Sequence, residues 1–238
     1  MGDWLFRCRA LFGARPHLVR PHKVEALLAS PIAVEPQRPI MLEGALQAAA
    51  ILATTRRLPS EAGLNAESFV DIPIPIGDGE RAGRVVARCS AAFGEAEVDS
   101  RVLRQRPRTT SYAGRVSESC GRYKAWQVPQ TTRSTATLTW YMQADAERLH
   151  VLLRGVLSIG RSRQAGLGHV ALWRVTPIHE DRSWLDESGR PSRPLPVASH
   201  SGAVNEFGLS AQTAVCGYRA PYWHRGVQAL CVLPEGVA

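Results

Sequence analysis

The most regular alternation of hydrophobic and polar residues lies at 134–142, S-T-A-T-L-T-W-Y-M. One face of this segment carries the apolar residues Ala136, Leu138, Trp140 and Met142. A period of two is typical of a half-buried β-strand. Two further segments have the length and apolar content of strands: residues 22–30, which are followed by Pro31, and residues 169–175, which are bounded by Pro177.

Two other stretches repeat their apolar residues with the period of an α-helix. In residues 43–55 the apolar stripe consists of Leu46, Ala49, Ala50 and Ala53. In residues 145–159 it consists of Leu149, Leu152, Leu153, Val156 and Leu157. Asp145 stands where an N-cap is expected, so the pattern predicts two helices that each cover a sheet.

The signals between the first helix and residue 134 are weaker. Residues 69–76 alternate apolar side chains with Asp and Pro, which suits an edge strand or an extended arm. A turn is predicted at 77–79 and a second strand at 84–92. The resulting order over residues 22–175 is strand, helix, strand, insertion, strand, helix, strand. This is the split βαβ pattern of an α+β fold with a ferredoxin-like, RRM-like core.

The two ends of the chain are predicted as extensions of this core. Residues 1–21 have amphipathic character and are expected to dock on this protein or on a partner. Residues 176–238 are rich in proline and are expected to pack on the core, with short strands at 207–216 and 227–233.

Composition adds a strong positive charge to this picture. The 238 residues carry a net charge of +8, and of the 29 basic residues only Lys23 and Lys124 are lysines. Guanidinium groups form bidentate contacts with phosphate and stack on bases, which favours nucleic acid as a partner. A GC-rich coding sequence would also favour arginine codons, so the bias by itself leaves both explanations open.

Positive charge is concentrated in residues 99–133, where eight basic residues face two acidic ones. Aromatic side chains are interleaved with them, as in sites for single-stranded nucleic acid. The candidate RNA-binding residues in this insertion are Arg104, Arg106, Arg108, Arg115, Arg122, Tyr123, Lys124 and Trp126. A disordered basic surface loop is the alternative interpretation.

A second candidate contact is the segment G-R-S-R-Q-A-G-L-G at 160–168, between a predicted helix and a predicted strand. Its glycines permit unusual backbone angles and close approach, and two guanidiniums lie beside them. The candidate residues are Gly160, Arg161, Arg163, Gly166 and Gly168. The segment does not have the Gly-Lys-Ser/Thr of a P-loop, and a glycine-rich connection with solvated arginines is the alternative.

Several other kinds of site are not supported. Five cysteines without a C-x-x-C pair predict neither a disulfide framework nor a zinc site, and a reducing, cytoplasmic location is expected. No run approaches the roughly 18 apolar residues of a membrane span, so no membrane partner is expected. The sequence His179-Glu-Asp181 groups potential metal ligands, but adjacent residues on a turn rarely converge on one ion. No metal and no cofactor is predicted.

Metal-free RNA cleavage needs a general base, a general acid and cationic stabilisation of the transition state. Histidines that could serve are His22, His169, His179, His200 and His224. His22 begins a strand and is expected to be half-exposed. His224 is the better candidate, since its aromatic neighbours and Arg225 suggest a stacked contact, but packing of Tyr222 and Trp223 against the core is the favoured explanation. No recognisable motif pairs any of them, so no catalytic residue is assigned.

The segment Leu157-Ser-Ile-Gly160, followed by a loop of the form G-R-S-R-x-x-G-x-G, resembles the signature of the RAMP proteins of CRISPR–Cas systems. Four further segments resemble the Cas-five-type subunit of type IV effector complexes: Leu27-Leu-Ala-Ser-Pro-Ile-Ala-Val34, Pro39-Ile-Met-Leu-Glu-Gly-Ala45, Arg193-Pro-Leu-Pro-Val197 and Pro221-Tyr-Trp-His224. The resemblance implies a RAMP core in which residues 99–133 form the thumb that presses on the RNA backbone.

The resemblance also implies partners. Such a subunit caps one end of a multi-subunit ribonucleoprotein, grips the 5′ handle of the crRNA and contacts the backbone subunit and the large subunit. Contact with target DNA stays open. We therefore predict a non-catalytic crRNA-binding subunit. The alternatives are a crRNA-processing endoribonuclease of the Cas-six type and a general basic nucleic-acid-binding module.

Overall fold

The computed structural model describes residues 3–34, 39–56, 70–95, 97–105 and 126–235 of the chain. The helices of this part are α1 (Asp3–Phe12), α2 (Glu43–Thr55), α3 (Ala146–Leu153) and α4 (His200–Phe207). The strands are β1 (Arg20–Leu28), β2 (Ile32–Ala33), β3 (Asp78–Arg81), β4 (Arg84–Ala87), β5 (Glu97–Gln105), β6 (Trp126–Ser134), β7 (Thr137–Ala144), β8 (Val170–Pro177), β9 (Leu195–Pro196), β10 (Thr213–Gly217) and β11 (Gln228–Val232). Helices combined with small antiparallel sheets confirm the predicted α+β class.

An antiparallel sheet in the order β7–β1–β8 forms the centre of the fold. Val24 of β1 lies opposite Trp140 of β7 and Val175 of β8. The predicted period of two is confirmed, since alternate residues of β7, Leu138, Trp140, Met142 and Ala144, are buried. Apolar side chains of α1, α2 and α3 join these residues in one hydrophobic cluster, so the helices cover one face of the sheet.

No continuous strand among the described residues pairs with the edge of β7 that faces away from β1. Instead, three isolated antiparallel bridges lie along this edge: Ile76 with Ala144, Cys89 with Met142 and Phe93 with Thr139. The predicted strand at 84–92 is wrong in extent, because only Arg84–Ala87 is a strand and it pairs with β3. The ferredoxin-like arrangement itself therefore stays a prediction.

The turn predicted at 77–79 is also wrong. Asp78 and Gly79 belong to β3, and the reversal occurs at Ala82 and Gly83, which have φ angles of 48° and 69°. Positive φ at both central residues is what a type I′ hairpin turn requires, and the glycine pattern at 77–79 did not locate this turn. Residues 70–75 before it belong to no strand, so the edge-strand alternative predicted for this segment is not found there.

The second predicted helix begins as expected and ends early. The carboxylate of Asp145 accepts a hydrogen bond from the backbone N–H of Arg148 at 3.5 Å, which confirms the N-cap. Helix α3 ends at Leu153. The backbone N–H of Gly155 donates to the Leu152 carbonyl in a tight turn, and the indole N–H of Trp173 donates to the Val156 carbonyl, so the helix does not continue.

The two ends of the basic insertion pair as the arms of a hairpin, which the sequence pattern does not predict. Strands β5 and β6 pair from Glu97 opposite Ser134 to Gln105 opposite Trp126. β-Branched residues on both arms favour strands despite the charges around them. Ser134 thus ends β6, and the next strand, β7, begins at Thr137 rather than at 134.

The C-terminal residues build a second hydrophobic cluster around the sheet β9–β11–β10, with Ala203 of α4 and Val86 of β4. The strand predicted at 227–233 is confirmed as β11. The strand predicted at 207–216 is wrong at its start, because Phe207 ends α4. The Ser199 hydroxyl caps this helix by accepting from the Gly202 N–H at 3.1 Å. The Trp184 indole donates to the Ala87 carbonyl at 3.0 Å and ties this cluster to the core.

The N-terminal helix α1 docks on this protein itself. Its residues Cys8 and Phe12 are buried in the main cluster. After the helix, the guanidinium of Arg15 binds the carboxylate of Asp145 at 2.5 and 2.9 Å and that of Glu147 at 2.7 Å. The described cysteines, Cys8, Cys89, Cys216 and Cys231, are free thiols. None of the described helices has the length and apolar character that a membrane crossing requires.

Candidate nucleic-acid interface

The glycine loop, residues 160–168, is fixed by backbone hydrogen bonds to the segment that follows β1. The Arg161 N–H donates to the Ala33 carbonyl at 2.9 Å, and the Gly168 N–H donates to the Pro31 carbonyl at 2.8 Å. The loop also closes on itself, because the Ile159 N–H donates to the Gly168 carbonyl at 2.9 Å. Both ends of the loop are therefore held.

Two of the three glycines are explained by this packing. Gly160 has a φ of 81°, and a Cβ there would lie 2.6 Å from the Ala33 carbonyl oxygen. Gly168 has a φ of 68°, and its Cβ would lie 1.9 Å from the Ile159 carbonyl oxygen. Gly166 has a φ of 77° but open space around it. The fold alone requires glycine at 160 and 168, and RNA contact by these residues stays a prediction.

Both candidate arginines of the loop, Arg161 and Arg163, have exposed side chains. Between them, Ser162 adopts the left-handed conformation with a φ of 54°. Its hydroxyl donates to the side-chain oxygen of Gln130 in β6 at 3.2 Å. The loop thus contacts the basic hairpin directly.

Strand β2 provides the second connection between loop and hairpin. Ala33 bridges to Arg161 on one side and lies opposite Thr132 of β6 on the other. The N–H of Val34 extends this pairing by donating to the Thr131 carbonyl at 3.2 Å. Two regions that lie about thirty residues apart in the sequence therefore form one surface.

On the hairpin, Arg101 of β5 lies opposite Gln130, and Arg104 lies opposite Gln127. Both arginines are exposed. Arg104 stands three residues beyond Arg101, roughly 10 Å along the strand, and on the other face. The sequence indicates Arg104 as a candidate but gives no signal for Arg101 or Gln130, because their neighbours across the hairpin are fixed only by strand register.

The remaining candidate residues of the insertion lie beyond the paired part of the hairpin or at its last pair. Arg106, Arg108, Arg115, Arg122, Tyr123 and Lys124 lie outside the described residues. Trp126 opens β6 opposite Gln105. The described structure therefore places the base of the insertion beside the glycine loop.

A cleft of about 320 Å³ lies beside the glycine loop. Its walls come from β2, the start of α2 and the loop, with Ala33, Val34, Pro39, Ile40, Met41, Gly44, Ala45, Ala48, Ser158, Ile159, Gly160, Arg161 and Arg163 as lining residues. Among these described lining residues, the charged side chains are those of Arg161 and Arg163. The electrostatic potential of the cleft therefore favours an anion.

Two larger cavities lie elsewhere and carry both signs of charge. One of about 570 Å³ is lined by Glu43, Asp71 and Asp78 together with Arg9 and Arg219. The other, of about 550 Å³, is lined by Asp186, Glu187 and Glu235 together with Arg182 and Arg190. Carboxylates repel phosphate, so neither suits a polyanion as well as the cleft at the loop.

Two of the histidines considered for catalysis, His22 and His224, have structural partners. His22 is only 7% exposed, contrary to the half-exposed position predicted for it, and its Nδ1 lies 2.7 Å from the Arg20 carbonyl oxygen. The Nδ1 of His224 accepts from the Gly226 N–H at 3.0 Å and caps a short turn, while the neighbouring Trp223 is exposed. His169, next to Gly168, is exposed. Among the described residues no group of three or more His, Cys, Asp or Glu could hold a metal ion.

Residues 80–234 match the family model for CRISPR type IV associated protein Csf3. The chain belongs to this family. The Csf3 match includes the β5–β6 hairpin, the glycine loop and the C-terminal cluster, and it confirms the predicted type IV CRISPR-associated protein. Association with this CRISPR type makes the Csf3-family protein a component of a multi-subunit system. No curated protein matches the chain.

Proposed function

We propose that this Csf3-family protein is a non-catalytic crRNA-binding subunit of a type IV effector complex. In this proposal it caps the 5′-handle end of the guide and contacts the backbone subunit and the large subunit. The glycine loop and the base of the basic hairpin together hold the RNA backbone.

The observation that carries the proposal is the junction of the two candidate regions through β2. The backbone of Arg161 and the side chain of Ser162 both contact the layer formed by β2 and β6. This junction is bordered by exposed arginine side chains, Arg161 and Arg163 on the loop and Arg101 on the hairpin. Guanidinium groups spaced along a continuous surface suit consecutive phosphates of a single strand.

The absence of an assigned nuclease centre is part of the proposal. Capture of a mature guide needs phosphate contacts and no chemistry, and phosphate contacts position RNA without selecting its sequence. A requirement for the handle sequence must then come from additional contacts with bases.

The test measures binding and cleavage in the same reactions. Full-length protein is incubated with end-labelled precursor repeat RNA and with mature guide, in the presence of a metal chelator. The double variant Arg161→Ala/Arg163→Ala is compared with Arg20→Ala/Arg225→Ala, which removes the same charge. Arg20 lies at the far end of β1 from the loop.

We expect handle-dependent binding of intact RNA by the wild type and by the control variant. The loop variant should bind more weakly, and the slope of log K against log salt should become shallower by about 1.4, since each phosphate contact contributes about 0.7. Unchanged affinity in a folded loop variant would contradict the assignment of the loop. A discrete cut in the repeat that is lost in His169→Ala would identify a processing nuclease instead, and binding without handle dependence would indicate a general nucleic-acid-binding module.

A further inference from the structure

The cleft beside the glycine loop combines aliphatic and cationic lining residues. Side chains of Val34, Ile40, Met41 and Ile159 contribute to its walls, and the two arginines of the loop border it. Among its described lining residues there is no carboxylate. A ligand that fits this combination has a weakly hydrated part attached to an anion, as a nucleobase with its phosphate does.

Small residues of helix α2 form one wall of the cleft and leave room for a ligand. These residues are Gly44, Ala45 and Ala48, and Gly44 and Ala48 lie four residues apart on the same helix face. A Cβ placed on Gly44 would meet no heavy atom within 4 Å. Gly44 is exposed and Ala48 is half-buried, so both positions border free space.

We propose that this cleft receives one unstacked nucleobase of the bound RNA, while Arg161 and Arg163 hold the phosphate beside it. The inference rests on the proposed function, because it assumes that the RNA backbone crosses the glycine loop. At about 320 Å³ the cleft is at the small end of ligand pockets, which suits a single base. The polarizable thioether of Met41 can adapt to the face of a base.

The lining also predicts how selective the cleft is. Most of its described lining residues are aliphatic, and among them only Ser158 and the two arginines have side chains that can hydrogen-bond a base. Selection among bases needs several directed donors and acceptors, whereas apolar contact is available to every base. Removal of the base at this position should therefore weaken binding more than exchange of one base for another.

The test combines an abasic scan of the guide handle with variants that fill the cleft. The wild type is compared with Gly44→Leu and with Ala48→Leu, so that the result does not depend on one variant's folding. The control is Ala53→Leu, which adds the same side chain at an exposed position of α2 outside the cleft.

In the wild type we expect one abasic position to weaken binding about tenfold. In Gly44→Leu and Ala48→Leu, intact RNA should bind about tenfold more weakly, and the same abasic position should no longer matter. The control should behave as the wild type.

Other outcomes separate the two proposals. If the wild type binds the guide but no abasic position matters, or the filled variants keep the wild-type profile, the base pocket is wrong while the proposed function stands. If the wild type binds neither guide nor precursor, the proposed function fails and the base pocket fails with it.

Discussion

The guanidinium of Arg193 donates to the carboxylate of Glu43 at 2.6 Å, and both side chains are almost completely buried. Arg193 precedes β9 in the C-terminal cluster, and Glu43 opens α2. The same guanidinium donates to the carbonyls of Ala87 and Cys89 and to that of Tyr218. One side chain therefore ties the C-terminal residues to the helix that borders the candidate RNA cleft.

Removal of Arg193 should destabilise the protein strongly. The variant Arg193→Met leaves the carboxylate of Glu43 buried without its counter-charge, which costs about 3–5 kcal/mol of unfolding free energy. Urea denaturation followed by circular dichroism measures the loss. Arg193→Met/Glu43→Gln should recover part of it, because no charge then remains buried. A loss below about 1 kcal/mol in the single variant would show that the pair contributes little.

Alanine should have very different effects at two glycines of the same loop. Gly168→Ala places a Cβ against the carbonyl of Ile159, so the backbone must shift, and a loss of about 3 kcal/mol or more is expected. Gly166→Ala serves as the matched control, since it has a similar positive φ and open surroundings. It should cost only about 1–2 kcal/mol. Equal losses in thermal or urea unfolding would contradict this account of the loop.

The ion pair between Arg15 and Asp145 should make stability depend on acid. Hydrogen bonds from Arg15 hold the pKa of Asp145 below its usual value, with the Arg148 N–H acting in the same direction and burial opposing. A carboxylate with a lowered folded-state pKa stabilises the folded chain above its unfolded-state pKa of about 3.9. The contribution disappears as the pH falls through the folded-state pKa.

Unfolding free energies of the wild type and Arg15→Ala, measured from pH 7 towards pH 3, test this. The wild type should be the more stable at pH 7, and the difference should shrink in acid. Arg20→Ala, whose guanidinium donates to a backbone carbonyl, should show no such convergence. A difference that is constant over this range would exclude Asp145 as the responsible group.

Shortening the basic hairpin should separate RNA binding from folding. Gln105 and Trp126 lie opposite each other, so Asn-Gly in place of residues 106–125 would close the two arms with a two-residue turn. The replacement removes Arg106, Arg108, Arg115, Arg122 and Lys124. Guide affinity should fall, and the salt slope should become shallower by up to about 3.5, while the free energy of unfolding stays within about 1 kcal/mol. Wild-type affinity with an unchanged slope would show that the removed residues do not contact RNA.

Several elements were determined by the sequence alone. The alternation around Trp140 fixed which side of β7 is buried, and Asp145 marked the start of α3, because both depend on residues close in the chain. The glycine loop together with the segments 27–34, 39–45, 193–197 and 221–224 was sufficient to indicate a type IV CRISPR-associated protein, which the Csf3 match confirms. The excess of arginine and its concentration at 99–133 were likewise visible without coordinates.

Other features were decided only by tertiary structure. Leu153 ends α3, and β5 and β6 form strands within a charged segment, because pairing and packing partners outweigh local composition. Gly160 and Gly168 are needed because Ala33 and Ile159 approach their backbones, a contact that no spacing in the sequence reveals. The junction of the glycine loop with the hairpin depends on β2, a strand of two residues at Ile32–Ala33. Such a short segment has no periodicity of its own, so only the folded chain shows that it joins the two candidate RNA-binding regions.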